Sequence, residues 1–235
     1  MFYYYGRKKQ LAGRYPEPEY DKIIEPFAGA AAYSLRGERW KSDVLLIEKD
    51  PQVVEVWRWL IETATVESIM ALPLLQPGEK SSEFLHIVHA ATKQAFKYRT
   101  IKVTPVLARN WEISRRTFAL NLHKVRHWKI EEADFTSAPD VEATWFIDPP
   151  YQGDPGLGYR FGSNLIDYST LADWILARRG QVIACESGAA NYLPFIPLTE
   201  HAGVAGKLNK ESVFLRSSRA ESTGATQLEY AGTLF

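Results

Sequence analysis

Short apolar runs alternate along this chain with longer segments in which apolar residues recur at helical spacing. The apolar runs, which predict strands, are Lys22–Glu25, Val44–Ile47, Trp128–Ile130, Trp145–Ile147 and Val182–Cys185. The periodic segments, which predict helices, are Ala30–Leu35, Gln52–Met70, Ser82–Phe96, Arg109–Val125 and Thr170–Arg178. Because strands and helices alternate in this order, we expect an α/β fold with a mostly parallel central sheet.

One stretch departs from this alternation. Residues 61–127, between the second and third predicted strands, are helical in pattern and rich in basic residues. We therefore predict a helical, basic insertion at 61–127 within a domain formed by residues 1–60 and 128–235. A chain of 235 residues, of which 46% are hydrophobic, supports a single globular core for that domain.

Composition disfavours a membrane protein, a disulfide-stabilised protein and a metalloprotein. No apolar run approaches the ~20 residues of a membrane span, and the aromatic, basic N-terminus lacks the features of a signal peptide. The single cysteine, Cys185, allows no disulfide within the chain. Histidine pairs such as His86 and His89 lack further ligands at metal-binding spacing. We expect a cytoplasmic protein with no membrane partner and no metal.

The formal net charge is zero, but the charges are unevenly distributed. Between Lys93 and Lys129 the sequence contains ten basic residues and one acidic residue, Glu112. Polyanions such as nucleic acids bind to basic faces of this kind. The residues predicted to contact a polyanion are Lys97, Arg99, Lys102, Arg115, Arg116, Lys124 and Arg126.

The most informative motif is Asp148-Pro149-Pro150-Tyr151, which directly follows the predicted strand Trp145–Ile147. In an open α/β sheet, ligands bind at the carboxyl ends of the strands, where this motif lies. Each proline fixes φ and removes an N–H donor, so carbonyl acceptors remain beside the Asp148 carboxylate. Acceptors next to a tyrosine ring suit an aromatic amine. The alternative is a proline-ended strand whose aspartate caps the next turn.

A second motif, Glu25-Pro26-Phe27-Ala28-Gly29-Ala30, follows the first predicted strand. Glycine at such a turn lets the backbone approach a ligand closely, and the N-terminus of a following helix offers free amide groups. The chain contains neither the G-x-G-x-x-G pattern of a dinucleotide site nor a Walker lysine motif. A tight turn without a ligand is the alternative interpretation.

An acidic residue follows the second predicted strand, about twenty residues after the glycine turn. In a β-α-β unit, a carboxylate at this point can accept hydrogen bonds from the ribose hydroxyls of a nucleoside cofactor. Both Glu48 and Asp50 satisfy the spacing. Asp50 precedes Pro51, and an aspartate before a first-turn proline is typical of a helix N-cap. We therefore assign the ribose to Glu48 and the cap to Asp50.

Taken in order, five elements of the sequence resemble the DNA adenine methylase family. They are Tyr4-Tyr5-Gly6-Arg7-Lys8, Glu25-Pro26-Phe27-Ala28-Gly29, Glu48 after the second strand, Asp134-Phe135, and Asp148-Pro149-Pro150-Tyr151. The resemblance covers the catalytic core on both sides of the predicted insertion and does not extend over the insertion. It implies a Rossmann-like methyltransferase fold with S-adenosylmethionine as the cofactor.

The resemblance also implies a role for each matching segment. Lys8 and the Tyr4–Gly6 segment would border the methionine end of the cofactor, and Phe27 and Gly29 would shape its pocket. The whole implied cofactor-binding set is Tyr4, Gly6, Lys8, Glu25, Pro26, Phe27, Ala28, Gly29, Glu48, Asp134, Phe135 and Asp148. The implied catalytic residues, which would hold the target base, are Asp148, Pro149, Pro150 and Tyr151.

Within the cofactor-binding set, Asp134 and Phe135 would contact the adenine ring of the cofactor. The sequence departs from the family at Arg7, where the family usually has glycine, and at Ala31, where it often does. The recognition hairpin of the family has no identifiable counterpart in the insertion, so none of its residues is assigned.

Together these expectations describe an S-adenosylmethionine-dependent enzyme that methylates the N6 amine of adenine in DNA. DNA would be the polyanion bound by the basic segment, and the target base would leave the duplex to reach the site. Three alternatives stay open: methylation of adenine in RNA, methylation of the N4 amine of cytosine, and a non-catalytic DNA-binding role. We expect a stand-alone modifying enzyme of restriction-modification or viral type, in the cytoplasm of a bacterial or phage-infected cell.

Overall fold

The computed structural model describes residues 1–2, 4, 6, 8, 11–83, 85–86, 100–202 and 208–217. Most of the predicted Ser82–Phe96 helix lies outside these residues, as do two predicted DNA contacts, Lys97 and Arg99. None of the helices within the described ranges combines the length and the apolar composition that crossing a membrane requires.

The described chain is organised around a mixed sheet of seven strands, with a separate two-stranded ribbon. The strands are β1 (Lys22–Glu25), β2 (Asp43–Glu48), β3 (Lys80–Ser81), β4 (Ile101–Lys102), β5 (Lys129–Glu132), β6 (Glu142–Ile147), β7 (Arg179–Ser187), β8 (Ile196–Ala202) and β9 (Leu208–Arg216). The order in the large sheet is β5-β2-β1-β6-β7-β9-β8, and β3 pairs with β4 in the ribbon. Strands β5, β2, β1, β6 and β7 are mutually parallel. The predicted α/β fold with a mostly parallel sheet is therefore confirmed.

Apolar side chains cover both faces of the parallel strands. Along β1, Ile23 packs into one core cluster and the next residue, Ile24, packs into the other. Strand β6 shows the same alternation, with Phe146 on the first face and Trp145 and Ile147 on the second. Successive residues of a strand point to opposite faces, so a sheet covered on both sides needs continuous apolar runs. This requirement explains the unbroken apolar stretches of β2, β6 and β7, whereas the edge strand β5 has the sequence KIEE and is largely exposed.

Four α-helices are described: α1 (Pro51–Arg58), α2 (Val66–Ala71), α3 (Pro105–Asn121) and α4 (Tyr168–Leu176). The single helix predicted over Gln52–Met70 is wrong, because α1 continues as a π-helix over Trp59–Thr63 and then stops. Thr65 starts α2 with a capping box, in which its side chain accepts from the Ser68 amide and the Ser68 hydroxyl accepts from the Thr65 amide. This cap favours the start of a new helix after Thr65 over continuation of α1.

The predicted helix over Ala30–Leu35 is also absent, and this segment instead forms consecutive turns. Gly29 has φ of 45° and Ala31 has φ of 46°, both in the left-handed region. A right-handed helix cannot pass through such residues. The glycine turn therefore extends through Ala31, beyond the carboxyl end of β1.

Strands β8 and β9 were not anticipated from the sequence. Strand β9 runs antiparallel between β7 and β8, and its register places Glu211 opposite Ser187 of β7. The apolar residues Val213, Phe214 and Leu215 are consecutive, but they follow a polar stretch that hides the strand pattern. This added strand brings a buried carboxylate, Glu211, behind the carboxyl end of the parallel sheet.

The predicted insertion packs onto the same core as the sheet. On α3, Trp111 and Phe118 are fully buried, and the Trp111 indole donates a hydrogen bond to the Pro73 carbonyl at 2.9 Å. The nearest helix is α2, which packs against α3. The described part of 61–127 therefore contains α2, α3, the small β3–β4 ribbon and connecting loops, and its buried residues share the core of the sheet.

Candidate active site

A cavity of about 270 Å³ opens at the carboxyl ends of β1, β2 and β6. From β1 the chain continues to β2 and β5 on one side of β1, and it then crosses to β6 on the other side. The direction in which strands are added therefore reverses between β1 and β6. Ligands of open α/β sheets bind in the crevice created by such a reversal. Glu25 ends β1, Glu48 ends β2, and Asp148 follows β6, so three carboxylates meet at this edge.

All twelve residues of the predicted cofactor-binding set line this one cavity. They come from four separate parts of the chain: the N-terminus, the β1–α1 region, the turn after β5 and the turn after β6. Of the predicted catalytic residues, Asp148 and Pro150 are in the lining, whereas Pro149 and Tyr151 are not among the lining residues. Further lining residues not predicted are Ala30, Ala31, Ala32, Lys49, Asp50, Phe146, Tyr159, Phe161, Leu165, Ile166, Asp167 and Thr170.

Lys8 and Asp148 form an ion pair at the floor of the cavity, with Nζ 2.7 Å from Oδ1. The Lys8 side chain is 7% exposed and the Asp148 side chain 19% exposed. Burial alone lowers the pKa of Lys8, but the nearby Asp148 and Glu211 carboxylates outweigh it and raise the pKa, so Lys8 is charged. Burial raises the pKa of Asp148, while the Lys8 ammonium opposes that rise. The pair fixes one carboxylate oxygen of Asp148 and leaves Oδ2 as the second acceptor.

Tyr151 is held through its hydroxyl. That hydroxyl donates to Oε1 of Glu211 at 2.5 Å, and the Tyr15 hydroxyl donates to the same oxygen at 2.7 Å. The Lys8 ammonium lies 4.4 Å from the centre of the Tyr151 ring, a cation–π distance. Sequence reasoning missed both Tyr15 and Glu211. An isolated acid before an apolar run was the only signal for Glu211, and Tyr15 gave none.

The proline turn after β6 is braced from outside the cavity. The Tyr168 hydroxyl, at the start of α4, donates to the Pro150 carbonyl at 2.6 Å. The amide of Gln152 donates to the buried Glu186 carboxylate at 3.0 Å. Because proline rings already fix φ, these two contacts leave the turn little freedom to move. The backbone that carries Asp148 is therefore preorganised.

Glu48 holds the glycine turn against the end of β2. Its Oε2 accepts from the Gly29 amide at 2.9 Å and its Oε1 accepts from the Asp50 amide at 2.8 Å. Burial raises the pKa of Glu48 to about 7, although both amide donors oppose this rise. Each oxygen keeps a second lone pair, so the carboxylate can still accept from a diol in the cavity.

Asp50 caps α1 as predicted, since its Oδ1 accepts from the Gln52 amide at 3.0 Å. The same oxygen lies 3.2 Å from the Arg160 guanidinium, so the cap is also an ion pair. Glu25 is bound by the turn that replaces the predicted helix, where the Ser34 amide and hydroxyl both donate to its Oε1, at 2.9 and 2.5 Å. Burial raises the pKa of Glu25 to about 7.

Aromatic rings form two walls of the cavity. Phe27 and Phe135 stack with ring centres 5.4 Å apart and planes inclined by 27°. On the N-terminal side, the Tyr159 hydroxyl occupies the place where a Cβ on Gly6 would stand, and Gly6 has φ of 73°. Any side chain at position 6 would collide with that ring. Glycine is therefore required there for the N-terminal segment to line the cavity.

The lining of the cavity holds more acidic than basic residues. Two lysines, Lys8 and Lys49, lie among six carboxylates, which belong to Glu25, Glu48, Asp50, Asp134, Asp148 and Asp167. Lys49 is paired with Asp134 at 2.8 Å, Lys8 with Asp148 and Asp50 with Arg160, so Glu25, Glu48 and Asp167 are the lining acids outside these pairs. Burial raises the pKa of Glu25 and of Glu48 to about 7, so each carries only part of a negative charge at neutral pH. Such a lining favours a ligand with net positive charge over a phosphate-bearing ligand.

The described basic residues of 61–127 have different surroundings. The Arg115 guanidinium donates to the Met70 and Leu72 carbonyls, at 2.9 and 2.6 Å, which fastens α3 to the end of α2. Arg126 donates to carbonyls of the π-helix, among them Leu60 at 3.1 Å. These contacts give both arginines a structural role that the sequence did not reveal.

Other basic residues of the segment face outward. Arg116 is exposed and pairs with Glu112 one helical turn away, at 2.8 Å. Lys124 lies 5.8 Å from the centre of the Trp40 ring, and Lys102 is exposed on the β3–β4 ribbon. Among the predicted phosphate contacts, Lys102, Arg116 and Lys124 are therefore the described residues whose charge is most available to a polyanion.

In comparisons with known proteins, no protein-family model matches the chain, and no curated protein matches it significantly in sequence.

Proposed function

We propose that this protein transfers a methyl group from S-adenosylmethionine to the N6 amine of adenine in DNA. One observation carries the proposal. Four segments that resemble the DNA adenine methylase family, and that are far apart in sequence, contribute all twelve expected cofactor-binding residues to a single cavity. The ends of parallel strands share one edge in any case, but a chance likeness of short motifs would not require the N-terminal segment, with Tyr4 and Lys8, to join them there.

The sheet supports the proposal at the level of fold. Numbered among themselves, the parallel strands follow the order 3-2-1-4-5, which is the doubly wound order of Rossmann-type nucleotide-binding sheets. The cavity occupies the switch point of that order, where such folds bind nucleoside cofactors. A Rossmann-like methyltransferase fold is therefore our interpretation of the architecture.

The chemistry of the lining fits S-adenosylmethionine. The excess of carboxylates suits a sulfonium and an ammonium group, and it opposes the phosphates of a dinucleotide. Glu48 would accept from the ribose hydroxyls with its remaining lone pairs, and the Phe27–Phe135 wall would pack against the adenine. The N-terminal segment, with Lys8, would border the methionine end.

Asp148 would activate the target amine. The lone pair of an adenine amine is delocalised into the ring, and hydrogen bonds from the amine to strong acceptors localise it. Because Lys8 binds Oδ1, we assign the amine to Oδ2 of Asp148 and to the Pro149 carbonyl. Bound S-adenosylmethionine would supply the electrophilic methyl group. Positioning of the amine by a braced proline turn would then provide much of the rate.

The target base would reach the cavity outside the double helix. An adenine amine within a duplex is inaccessible, so the nucleotide must be flipped out. The Tyr151 ring would stack on the flipped base. Exposed cations of the insertion, such as Lys102 and Arg116, would bind the flanking phosphates and make affinity dependent on salt.

Two measurements test the proposal. Calorimetry with S-adenosylmethionine should give saturable binding, and labelled methyl groups should appear on adenine in duplex DNA. The same assay with RNA, and with duplexes whose only amines are on cytosine and guanine, separates the alternative substrates. Tight cofactor binding with transfer only to RNA or cytosine would redirect the proposal, and the absence of cofactor binding would reject it.

A further inference from the structure

Glu211 is a buried carboxylate that the proposed reaction does not use directly. It lies on β9, at 3% exposure, behind the turn that carries Asp148 and Tyr151. Its Oε1 accepts hydrogen bonds from two tyrosine hydroxyls, those of Tyr15 and Tyr151. The Lys8 ammonium is 4.0 Å from the same oxygen.

Charge compensation of the buried Lys8 ammonium is one reason for a carboxylate at this position, but it does not account for the two tyrosine hydroxyls that converge on one of its oxygens. Moving a charged group out of water costs several kcal/mol, and apolar replacements of buried charges are often neutral or stabilising. The burial cost raises the pKa of Glu211, and the Asp148 carboxylate adds to that rise. A carboxylate that is buried at such a cost is a candidate for a functional role.

We infer that Glu211 is a positioning residue, which orients the Tyr151 ring for stacking on the target base by holding its hydroxyl. A tyrosine side chain can rotate about two bonds, and a fixed hydroxyl removes most of that freedom. Tyr15 fixes Glu211 in turn, since both tyrosines donate to one oxygen. Lys8 connects this bridge to Asp148, because it contacts Asp148 and lies over the Tyr151 ring. Lys8 and Glu211 therefore position both parts of the proposed target-base site, which are the Asp148 carboxylate and the Tyr151 ring.

The inference rests on the proposed function, and it makes a separate prediction. If Glu211 acts through the Tyr151 hydroxyl, its charge should matter only while that hydroxyl is present. Glu211→Gln keeps the shape and an acceptor oxygen but removes the charge that strengthens both hydrogen bonds. Tyr151→Phe keeps the ring and removes the donor. A double-mutant cycle therefore isolates the bridge.

The experiment measures turnover on adenine-containing duplex DNA at saturating cofactor, with cofactor affinity determined by calorimetry. We expect Glu211→Gln and Tyr151→Phe each to lower turnover by about tenfold, and the double variant to lower it by about tenfold rather than a hundredfold. Cofactor affinity should stay within about twofold in all three, since neither residue lines the cavity. Tyr33→Phe is the matched control, because it also removes a buried hydroxyl, which donates to the Pro16 carbonyl.

Several outcomes would overturn the inference. Independent effects that multiply in the double variant, or a Glu211→Gln turnover within about twofold of the parent, would leave Glu211 without a positioning role. Should Glu211→Gln fail to fold, Tyr15→Phe tests the same bridge. We expect Tyr15→Phe alone to lower turnover by about threefold, and to cause no further loss when it is combined with Tyr151→Phe. A parent protein that does not methylate adenine would reject the proposed function and, with it, this inference, whereas the first two outcomes leave the function standing.

Discussion

Lys8 and Asp148 are 140 positions apart in sequence and 2.7 Å apart in space. Their ion pair joins the N-terminal segment to the turn after β6, so it fixes two parts of the cavity lining, which the proposed function assigns to the cofactor and to the target base. Removal of one partner would leave the other charge buried and uncompensated, which is usually costly. Substitutions at either position must therefore be tested for folding as well as for activity.

Asp148→Asn should lower methyl transfer by at least about a hundredfold, because it removes a charged acceptor from a water-poor site. Asparagine retains an acceptor for Lys8, so the fold should persist at a reduced melting temperature. Cofactor binding should remain measurable. The assay is transfer of labelled methyl groups to duplex DNA at saturating cofactor, with thermal melting in parallel.

The control for that substitution is Asp43→Asn, at the solvent-exposed start of β2, where Asp43 pairs with Lys22. It should leave turnover unchanged. A folded Asp148→Asn protein that works within about threefold of the parent rate would disprove the activating role of Asp148.

Glu48 should make cofactor affinity dependent on pH. Its pKa in the folded protein is raised from 4.5 to about 7, so the stability it contributes is greatest below the unfolded pKa and is lost as pH rises through about 7. Cofactor affinity changes with pH in the opposite direction, because the ionised Glu48 carboxylate is the better acceptor for ribose hydroxyls. Affinity for S-adenosylmethionine should therefore increase from pH 6 to pH 8, as measured by calorimetry.

Glu48→Gln tests this assignment. It should bind the cofactor more weakly at pH 8 and lose the part of the pH dependence between pH 6 and pH 8 that Glu48 contributes, while Glu25, whose pKa is also raised to about 7, still titrates in this range. DNA binding at low salt should stay intact. If cofactor affinity depended equally on pH in the parent and in the variant, another acid of the cavity would have to bind the ribose.

Ala31→Gly should stabilise the protein by about 0.5–1 kcal/mol and raise its melting temperature by about 2 °C. Ala31 is the one described residue other than glycine with a positive φ, and it lies where the resembling family often has glycine. Relief of the left-handed strain outweighs the extra flexibility of glycine in the unfolded chain. Ala30→Gly, at a neighbouring position without positive φ, should instead destabilise. A melting temperature for Ala31→Gly below that of the parent would contradict the strain.

Replacement of Lys102, Arg116, Lys124 and also Arg109, which is exposed on α3, by glutamine should weaken DNA binding and flatten its salt dependence, by about 0.9 in slope for each phosphate that is no longer neutralised. These side chains do not hold helices together, so the melting temperature should change little. Arg126→Ala is the contrasting variant, since it breaks hydrogen bonds to the π-helix and should cost about 2 kcal/mol of stability. An unchanged salt slope in the fourfold variant would show that DNA binds elsewhere.

The sequence by itself determined the parallel core and the segments of the cavity. Strands buried on both faces, such as β2, β6 and β7, need unbroken apolar runs, which are visible in a local window, and all five parallel strands were predicted. Turn motifs such as Asp148-Pro149-Pro150-Tyr151 are local as well, because the prolines restrict their own backbone. Residues at the ends of parallel strands must meet at one edge, so the convergence of Glu25, Glu48 and Asp148 was predictable.

Only the tertiary structure decided which groups pair inside that edge. The Lys8–Asp148 pair spans 140 positions and the Tyr151–Glu211 bond spans 60, and neither leaves a periodic signal in the chain. The left-handed turn at Ala31 could not be predicted from the sequence either. Alanine favours a helix locally, and the hydrogen bonds between Glu25 and Ser34 override that preference. Local pattern specifies which face of an element is buried, whereas partner choice depends on the packing of elements that are distant in sequence.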